Sequence, residues 1–388
     1  MSEFRPASRL GQLGTTIFAE MTQLAERHQA VNLSQGFPDF GSPEFLREAA
    51  MRAIREEHNQ YARMRGEPVL VHAIAEAVQS RTGLEFDPLR EITVFSGATE
   101  ALHCAFFAFC DPGDEVVILE PYYDSYRAGA SMTGAIPRFV PLRGPDFRWD
   151  SEELQKAFSD RTRMLVVNTP HNPCGRVFTG EELEELAALC RRYDVLCVAD
   201  EVYDRIVYDH PHLSIATFDG MRERTITINS TGKTFSLTGW KIGYACAPIG
   251  LTDALAAVHQ FVTFAVATPF QHAMAQALRA PASYFEDLVR GYRRRRDLLV
   301  NGLAACGFAV TAPQGAYFVL ADIRPLGFDD DVAFCRHLVE RVGVAAIPPT
   351  AFYEHKELGR HLVRFAFCKT DETITAALER LRQLPRKG

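Results

Sequence analysis

From about residue 92 the chain alternates two patterns: short apolar runs rich in β-branched residues, and longer stretches whose apolar positions recur every three or four residues. "EITVFSG" (91–97) predicts a strand, with a helix following from Ala98 to Cys110. "DPGDEVVILEP" reads as a turn and a strand, with helical periodicity resuming at Tyr122. "RTRMLVVNTP", "VLCVADEVY" and "RTITINS" are further strands, and "TGEELEELAALCRRYDV" is an amphipathic helix with acids in its first turn. Strands apolar on both faces and separated by helices imply an α/β fold, a mostly parallel sheet covered on both sides. Beyond it, "GFAVTAPQGAYFVLADI" and "GVAAIPPTAF…LVRFAFCKT", with a helix between and one after, read as α+β. The expected division is a large domain over 46–285 and a smaller one formed by 1–45 with 286–388. No repeat or flexible linker separates them, so close packing is expected.

A chain of 388 residues, 47% hydrophobic, suits about two globular domains. Its net charge of -7 argues against a nucleic-acid or anionic-membrane partner. The run Arg293–Arg296 does not change this, because four consecutive helical side chains fan out around the axis, which predicts a solvated helix. The opening "MSEFRPASRL" has no apolar signal core, and no run reaches the roughly 18 apolar residues of a membrane span. Nine scattered cysteines without C-x-x-C suit reduced thiols in a cytoplasm. The twelve histidines include no H-E-x-x-H, and His210 and His212 lack a partner cluster, so no metal site is expected.

Ligands of open α/β sheets collect beyond the carboxyl ends of the strands. There the sequence puts Gly97 at a helix start able to hold an anion, Asn172 after "NTPH", Asp200 with Tyr203 close behind, and Ser230 with Lys233. "GKT" at 232–234 imitates a nucleotide loop, but the glycine needed five positions earlier is Thr227, inside a strand. Nucleotide hydrolysis is therefore excluded as a reading.

The ordered motifs "VNLSQGFPDF", "NQYARMRGEPVL", "SGATEAL", "EPYYDSY", "NTPHNPCG", "VADEVYDRIVY", "NSTGKTFSLTGWKIGY" and "LVRFAFCK" span nearly the whole chain. Together they resemble the class I/II aminotransferases of pyridoxal-phosphate fold type I. The wording is most like the methionine and kynurenine/glutamine branch. The resemblance implies a mostly parallel seven-stranded sheet, pyridoxal 5′-phosphate as cofactor, and amino and 2-oxo acids as substrates. It also implies a homodimer with shared sites.

By the same resemblance Lys233 would bond the cofactor's aldehyde and shuttle the Cα proton, the alternative being a surface lysine in a turn. Asp200 would pair with the pyridine nitrogen, unless it is a cap or structural ion pair. Glu201 is the weaker candidate, since a continuing strand points it to the other face. Asn172 and Tyr203 would bond the ring oxygen, with turn formation also open to Asn172. Tyr123 would stack on the ring, with Tyr122 its competitor. Gly97, Ala98, Thr99, Ser230 and Lys241 would hold the phosphate, together with Tyr61 from the neighbouring subunit. Lys241 departs from the arginine of aspartate-type members and agrees with the kynurenine type.

Arg364 and Gly36, with Asn172, would take the substrate carboxylate. An edge-strand arginine in solvent is the plain alternative for Arg364. Phe18 would line the side-chain pocket, and Val266 and Ala267 would face it across the dimer. That pocket, apolar and without a second arginine, implies a methionine, glutamine or aromatic donor. A β-lyase acting on cysteine conjugates, or a kynurenine–oxoglutarate transaminase, would use the same residues.

Overall fold

In a computed structural model, described here for residues 7–10 and 16–385, a seven-stranded sheet organises the larger part of the chain. Residues 1–6, within the opening segment discussed above, lie outside this description. The strands are β1 (Ile92–Ser96), β2 (Glu115–Glu120), β3 (Ile136–Pro141), β4 (Thr162–Asn168), β5 (Leu196–Asp200), β6 (Thr225–Ser230) and β7 (Ile242–Cys246). Their spatial order is β1-β7-β6-β5-β4-β2-β3. Only β7 runs against its neighbours, antiparallel to both β1 and β6. The carboxyl ends of the other six therefore share one edge. Registers Asn168↔Asp200 and Asp200↔Ile228 bring the last residues of β4 and β5 level there.

Local chemistry sets the helix limits. Gly180–Tyr193 starts with a capping box, in which Thr179 and Glu182 satisfy each other's free amides, and ends at Asp194 in the left-handed region. The helix expected over 98–110 spans Gly97–Phe109, with Cys110 as its cap. Its inner face, including Leu102, Cys104 and Phe106, is buried against Val116, Ile118 and Met164 of the sheet. Each such side chain contributes about 1.5–3 kcal/mol by leaving water. Helical geometry near Tyr122 begins only at Asp124 (Asp124–Thr133).

A second sheet, from β8 (Ala309–Val310), β9 (Phe318–Asp322) and β10 (Leu362–Ala366), is antiparallel and backed by Asp371–Leu381. The amino-terminal segment joins it: Val31–Asn32 pairs in parallel with Val344–Ala345, and Met21 and Ala25 of helix Ile17–His28 enter the same core. The helix Ala282–Ala305 runs unbroken through residues 285 and 286, so a continuous helix links the two parts. Arg293–Arg296 lies on this helix, and here the structure corrects the solvated reading. Arg296 is only 7% exposed, bonded to Asp209 at 2.7 Å and the Pro313 carbonyl at 3.2 Å. Arg294 pairs with Asp371, and Arg295 lies over Phe40 at 4.5 Å. The four residues do fan out and each meets a protein partner, Arg293 the Tyr208 carbonyl, but only Arg295 and Arg296 turn inward while Arg293 and Arg294 stay exposed.

Candidate active site

Where the strand ends meet the second sheet there is a cavity of ≈ 310 Å³. Of the expected site residues, Phe18, Gly36, Gly97, Ala98, Thr99, Tyr123, Asn172, Asp200, Tyr203, Ser230, Lys233, Lys241 and Arg364 line it, whereas Tyr61, Val266 and Ala267, expected to act across a dimer, do not. Its charged side chains are three cations, Lys233, Lys241 and Arg364, against one carboxylate, Asp200. Such a cavity favours an anionic ligand. Tyr122 is not among its walls; it is buried and stacked on Phe139 at 5.1 Å.

Asp200 ends β5 and is almost fully buried. Burial raises its carboxyl from 3.8 to about 6, although hydrogen bonds from the Tyr126 hydroxyl (2.6 Å) and the Val202 amide oppose the rise. Behind it, Asn168 donates to the Asp200 carbonyl at 2.9 Å and accepts from the Asn172 amide at 2.7 Å, tying two strand ends together. Glu201 is turned away, as its position predicts, and its buried carboxylate accepts from Ser214 at 2.6 Å. It also meets His212 at 3.0 Å, so that histidine has the partner the sequence did not reveal. No group of metal-binding side chains occurs among the described residues.

Lys233 stands on the short helix Thr231–Thr234 that follows β6. Burial lowers its ammonium below the ordinary lysine value, which makes the free amine accessible. Its Nζ reaches the Gly36 carbonyl at 3.5 Å and lies 5.8 and 5.9 Å from the rings of Tyr203 and Tyr317. Tyr203 is buried edge-on to Tyr317, and the Tyr317 hydroxyl donates to Gly36 at 2.7 Å. The carbonyl of Gly36 thus faces inward to these donors. Tyr123 stands edge-on to Tyr126 at 5.7 Å.

The free amides of Gly97, Ala98 and Thr99 begin the helix on one side, and Ser230 and Lys241 close the other. Gly97 has φ 77°, in the left-handed region that favours glycine, and Lys241 Nζ packs 2.8 Å from where a Cβ would stand. The sequence reading passed over Gly243 on β7, whose Cβ would sit 2.5 Å from the Gly97 carbonyl carbon. Its lack of a side chain lets β7 press against the helix start.

Arg364, in β10, is 1% exposed. It donates to Asn172 Oδ1 at 3.2 Å and the Ser34 carbonyl at 2.9 Å, while its Nε has no partner. Phe318, Phe18 and Phe352 surround the guanidinium at 4.3, 5.1 and 5.1 Å. Burial pulls it down to about 10, the mark of a cation lacking a paired carboxylate. With Asn172 Oδ1 engaged, its Nδ2 is left to donate inward. The aromatic walls Phe318 and Phe352, and the carboxylate-holding Tyr126, are functional surroundings the sequence reading missed. Tyr61 is 87% exposed, edge-on to Phe264, away from its own cavity. Val266 is buried in its own chain's core and cannot present its side chain to a neighbour, contrary to expectation, whereas Ala267 is exposed.

An anion cradle of backbone amides, a buried carboxylate, an amine between them and an unpaired guanidinium fit pyridoxal 5′-phosphate with an amino acid beside it. Fold and site together define a pyridoxal-phosphate enzyme of fold type I. A family model described as aminotransferase class I and II matches residues 28–381, and the chain belongs to that family. It is a transaminase that uses pyridoxal 5′-phosphate. It is 44% identical to the probable N-succinyldiaminopimelate aminotransferase of Mycobacterium tuberculosis, over 97% of this chain and 98% of that protein. The solved structure of that mycobacterial enzyme superposes with a TM-score of 0.96 at 45% identity, over 98% of this chain and 100% of the other. The methionine aminotransferase of Escherichia coli K12 is 41% identical over 98% of both chains. Human kynurenine–oxoglutarate transaminase 1 is 39% identical over 99% of both.

Proposed function

We propose that the chain transfers the amino group of methionine, glutamine or an aromatic amino acid to a 2-oxo acid. The order is ping-pong: the donor's oxo acid leaves before the acceptor enters. The observation that carries this reading is the single guanidinium of the cavity, Arg364, walled by Phe18, Phe318 and Phe352. It serves one carboxylate, and among the described residues the remaining wall, which includes Phe37 and Gln35, offers no second arginine for another.

Lys233, Asp200 and Tyr203 are the proposed catalytic residues. When bound, pyridoxal phosphate supplies an electron sink that acidifies the substrate Cα–H. With the cofactor bound, Lys233 would hold its aldehyde, and Lys233 Nζ would be the group placed to take and return the Cα proton. Asp200 keeps a buried negative charge ready for a protonated ring nitrogen, held in aim by Tyr126. Tyr203 and Asn172 would donate to the cofactor's ring oxygen, and Tyr123 would lie against its ring. Gly97, Ala98, Thr99, Ser230 and Lys241 would hold the phosphate. Arg364, Asn172 and Gly36 orient the carboxylate so that Cα–H faces Lys233.

The test is a donor screen with 2-oxo acid acceptors. Methionine, glutamine and phenylalanine should exceed aspartate at least tenfold in kcat/KM. A clear preference for aspartate, or for the succinylated diamino acid named in the mycobacterial relative, would overturn the reading. Pyruvate and ammonia released from a cysteine conjugate without any acceptor would signal β-elimination instead. In the same assay Arg364→Lys should raise donor KM about 100-fold, because an ammonium cannot replace the bidentate fork.

The same reading makes the enzyme a cytoplasmic homodimer. Support comes from nine free, buried cysteines and from the exposed apolar patch of Tyr61, Phe261 and Phe264. No helix of the described residues is long and apolar enough to cross a membrane. Within that dimer Tyr61 reaches the partner's phosphate site. Sedimentation at micromolar concentration should give the mass of two chains, and a single-chain mass would sink the shared-site proposal.

A further inference from the structure

Beneath the helix that starts at Gly97 lies a buried polar cluster that the reaction scheme leaves unused. Glu100, one turn into the helix, sends Oε2 back to the amide of Ser96, the last residue of β1. Its Oε1 accepts from Thr263 Oγ1 at 2.6 Å and meets Nδ1 of His259 at 2.7 Å. His259 is fully buried on helix Ile249–Val262, and its Nε2 meets the Met64 carbonyl at 2.9 Å.

The protonation pattern follows from the partners. A carbonyl oxygen only accepts, so Nε2 carries a hydrogen. The carboxylate already collects donors from Ser96 and Thr263, so Nδ1 donates to it as well. Burial alone would push the Glu100 carboxyl up, but the hydrogen bonds from His259, Thr263 and Ser96 outweigh burial and hold it below its ordinary value. The His259 ring is thus clamped between the Glu100 carboxylate and the Met64 carbonyl, one turn below the anion cradle.

Each half has a consequence for the cradle. By capping Ser96, Glu100 fixes the strand-to-helix turn and leaves the next three amides, at Gly97, Ala98 and Thr99, free to point at a ligand. A bare carboxylate so close would also repel a phosphate carrying nearly two negative charges, through protein of low dielectric. The His259 ring bonded to Oε1 offsets that repulsion. It further pins Met64, three residues from Tyr61, so the cradle and the exposed aromatic patch share one anchor.

We propose that His259 and Glu100 are positioning residues of the cofactor site: Glu100 shapes the phosphate cradle, and His259 offsets the charge this shaping introduces. The proposal rests on reading Gly97–Thr99 as the phosphate cradle. Its test is absorbance titration of resolved apoenzyme with pyridoxal 5′-phosphate, and with pyridoxal, which lacks the phosphate.

His259→Asn should weaken pyridoxal-phosphate affinity roughly 30-fold or more while changing pyridoxal affinity less than about threefold. Glu100→Gln, which keeps an acceptor for Ser96 but no charge, should bind the phosphate form at least as tightly as wild type. Combining E100Q with H259N should restore most of the affinity lost in H259N. If H259N does not fold, the E100Q and double variants still decide the matter through the ratio of their phosphate and pyridoxal affinities. Equal losses for both ligands, or a double variant no better than H259N, would overturn the charge-offsetting role. Cofactor fixed by borohydride to a lysine other than Lys233 in the wild type would instead sink the reading of the site itself, a result separate from the order of these affinities.

Discussion

Lys233→Ala should lower kcat for amino-group transfer by at least about 10⁴-fold, the full contribution of a positioned general base. It should also abolish the borohydride-stable cofactor adduct on the 229–244 peptide. The expectation is this large because two duties fall on one nitrogen, and the cavity offers no substitute. Among the described residues Lys241 is the only other ammonium in its wall, and it is committed to the far side, where its Nζ lies against Gly97. Burial keeps Lys233 below the ordinary lysine value, which favours its free amine. Tyr203 cannot take over as base, because burial pushes its hydroxyl well above the ordinary tyrosine value. Lys241→Ala, by contrast, should weaken cofactor binding and leave the adduct on Lys233. The check is intact-mass and peptide mapping after reduction, alongside single-turnover rates. A Lys233→Ala enzyme retaining more than about 1% of the rate would move the base elsewhere.

Which of these features the sequence exposed has a physical pattern. Asp200, Ser230 and Lys233 could be read because strand periodicity fixes where β5 and β6 end, and ligands gather at such ends. Their partners could not. Tyr126 reaches Asp200 across 74 positions and Arg364 reaches Asn172 across 192, and no local pattern encodes such meetings. The aromatic enclosure of Arg364 is assembled from residues 18, 318 and 352, each of which reads alone as ordinary core. The antiparallel β7 was hidden for another reason. "KIGYACA" is a short apolar run flanked by the motif that carries the chemistry, and its direction depends on its neighbours β1 and β6. Val266 was misassigned because one residue decides whether a chain entering a helix faces its own core or a neighbour.

Asp200→Asn should separate stability from catalysis: a more stable apoenzyme that is about 10³-fold slower. Burial raises the carboxyl from 3.8 to about 6, so the folded chain ionises it at a cost of roughly 3 kcal/mol at most. The sign follows from linkage. Below the unfolded value both states are protonated and the group contributes nothing. Between there and about pH 6 the fold increasingly prefers the proton that the unfolded chain has lost. Above about pH 6 the folded state carries the whole penalty. Asparagine has no charge to bury and keeps an oxygen for the Tyr126 hydroxyl. The urea midpoint of the apo variant should therefore exceed wild type at pH 7.5 and match it near pH 4. Catalysis moves the other way, because a neutral amide cannot hold a proton on the ring nitrogen as a carboxylate does. Cofactor affinity of the wild type should also fall as pH drops through about 6, and this limb should be absent from the variant. Equal stabilities at pH 7.5 would mean the carboxylate is not strained by burial. A kcat within tenfold of wild type would mean its charge is not what the chemistry uses. If both expectations hold, the fold is keeping an unfavourable charge at the end of β5 because the reaction needs it there.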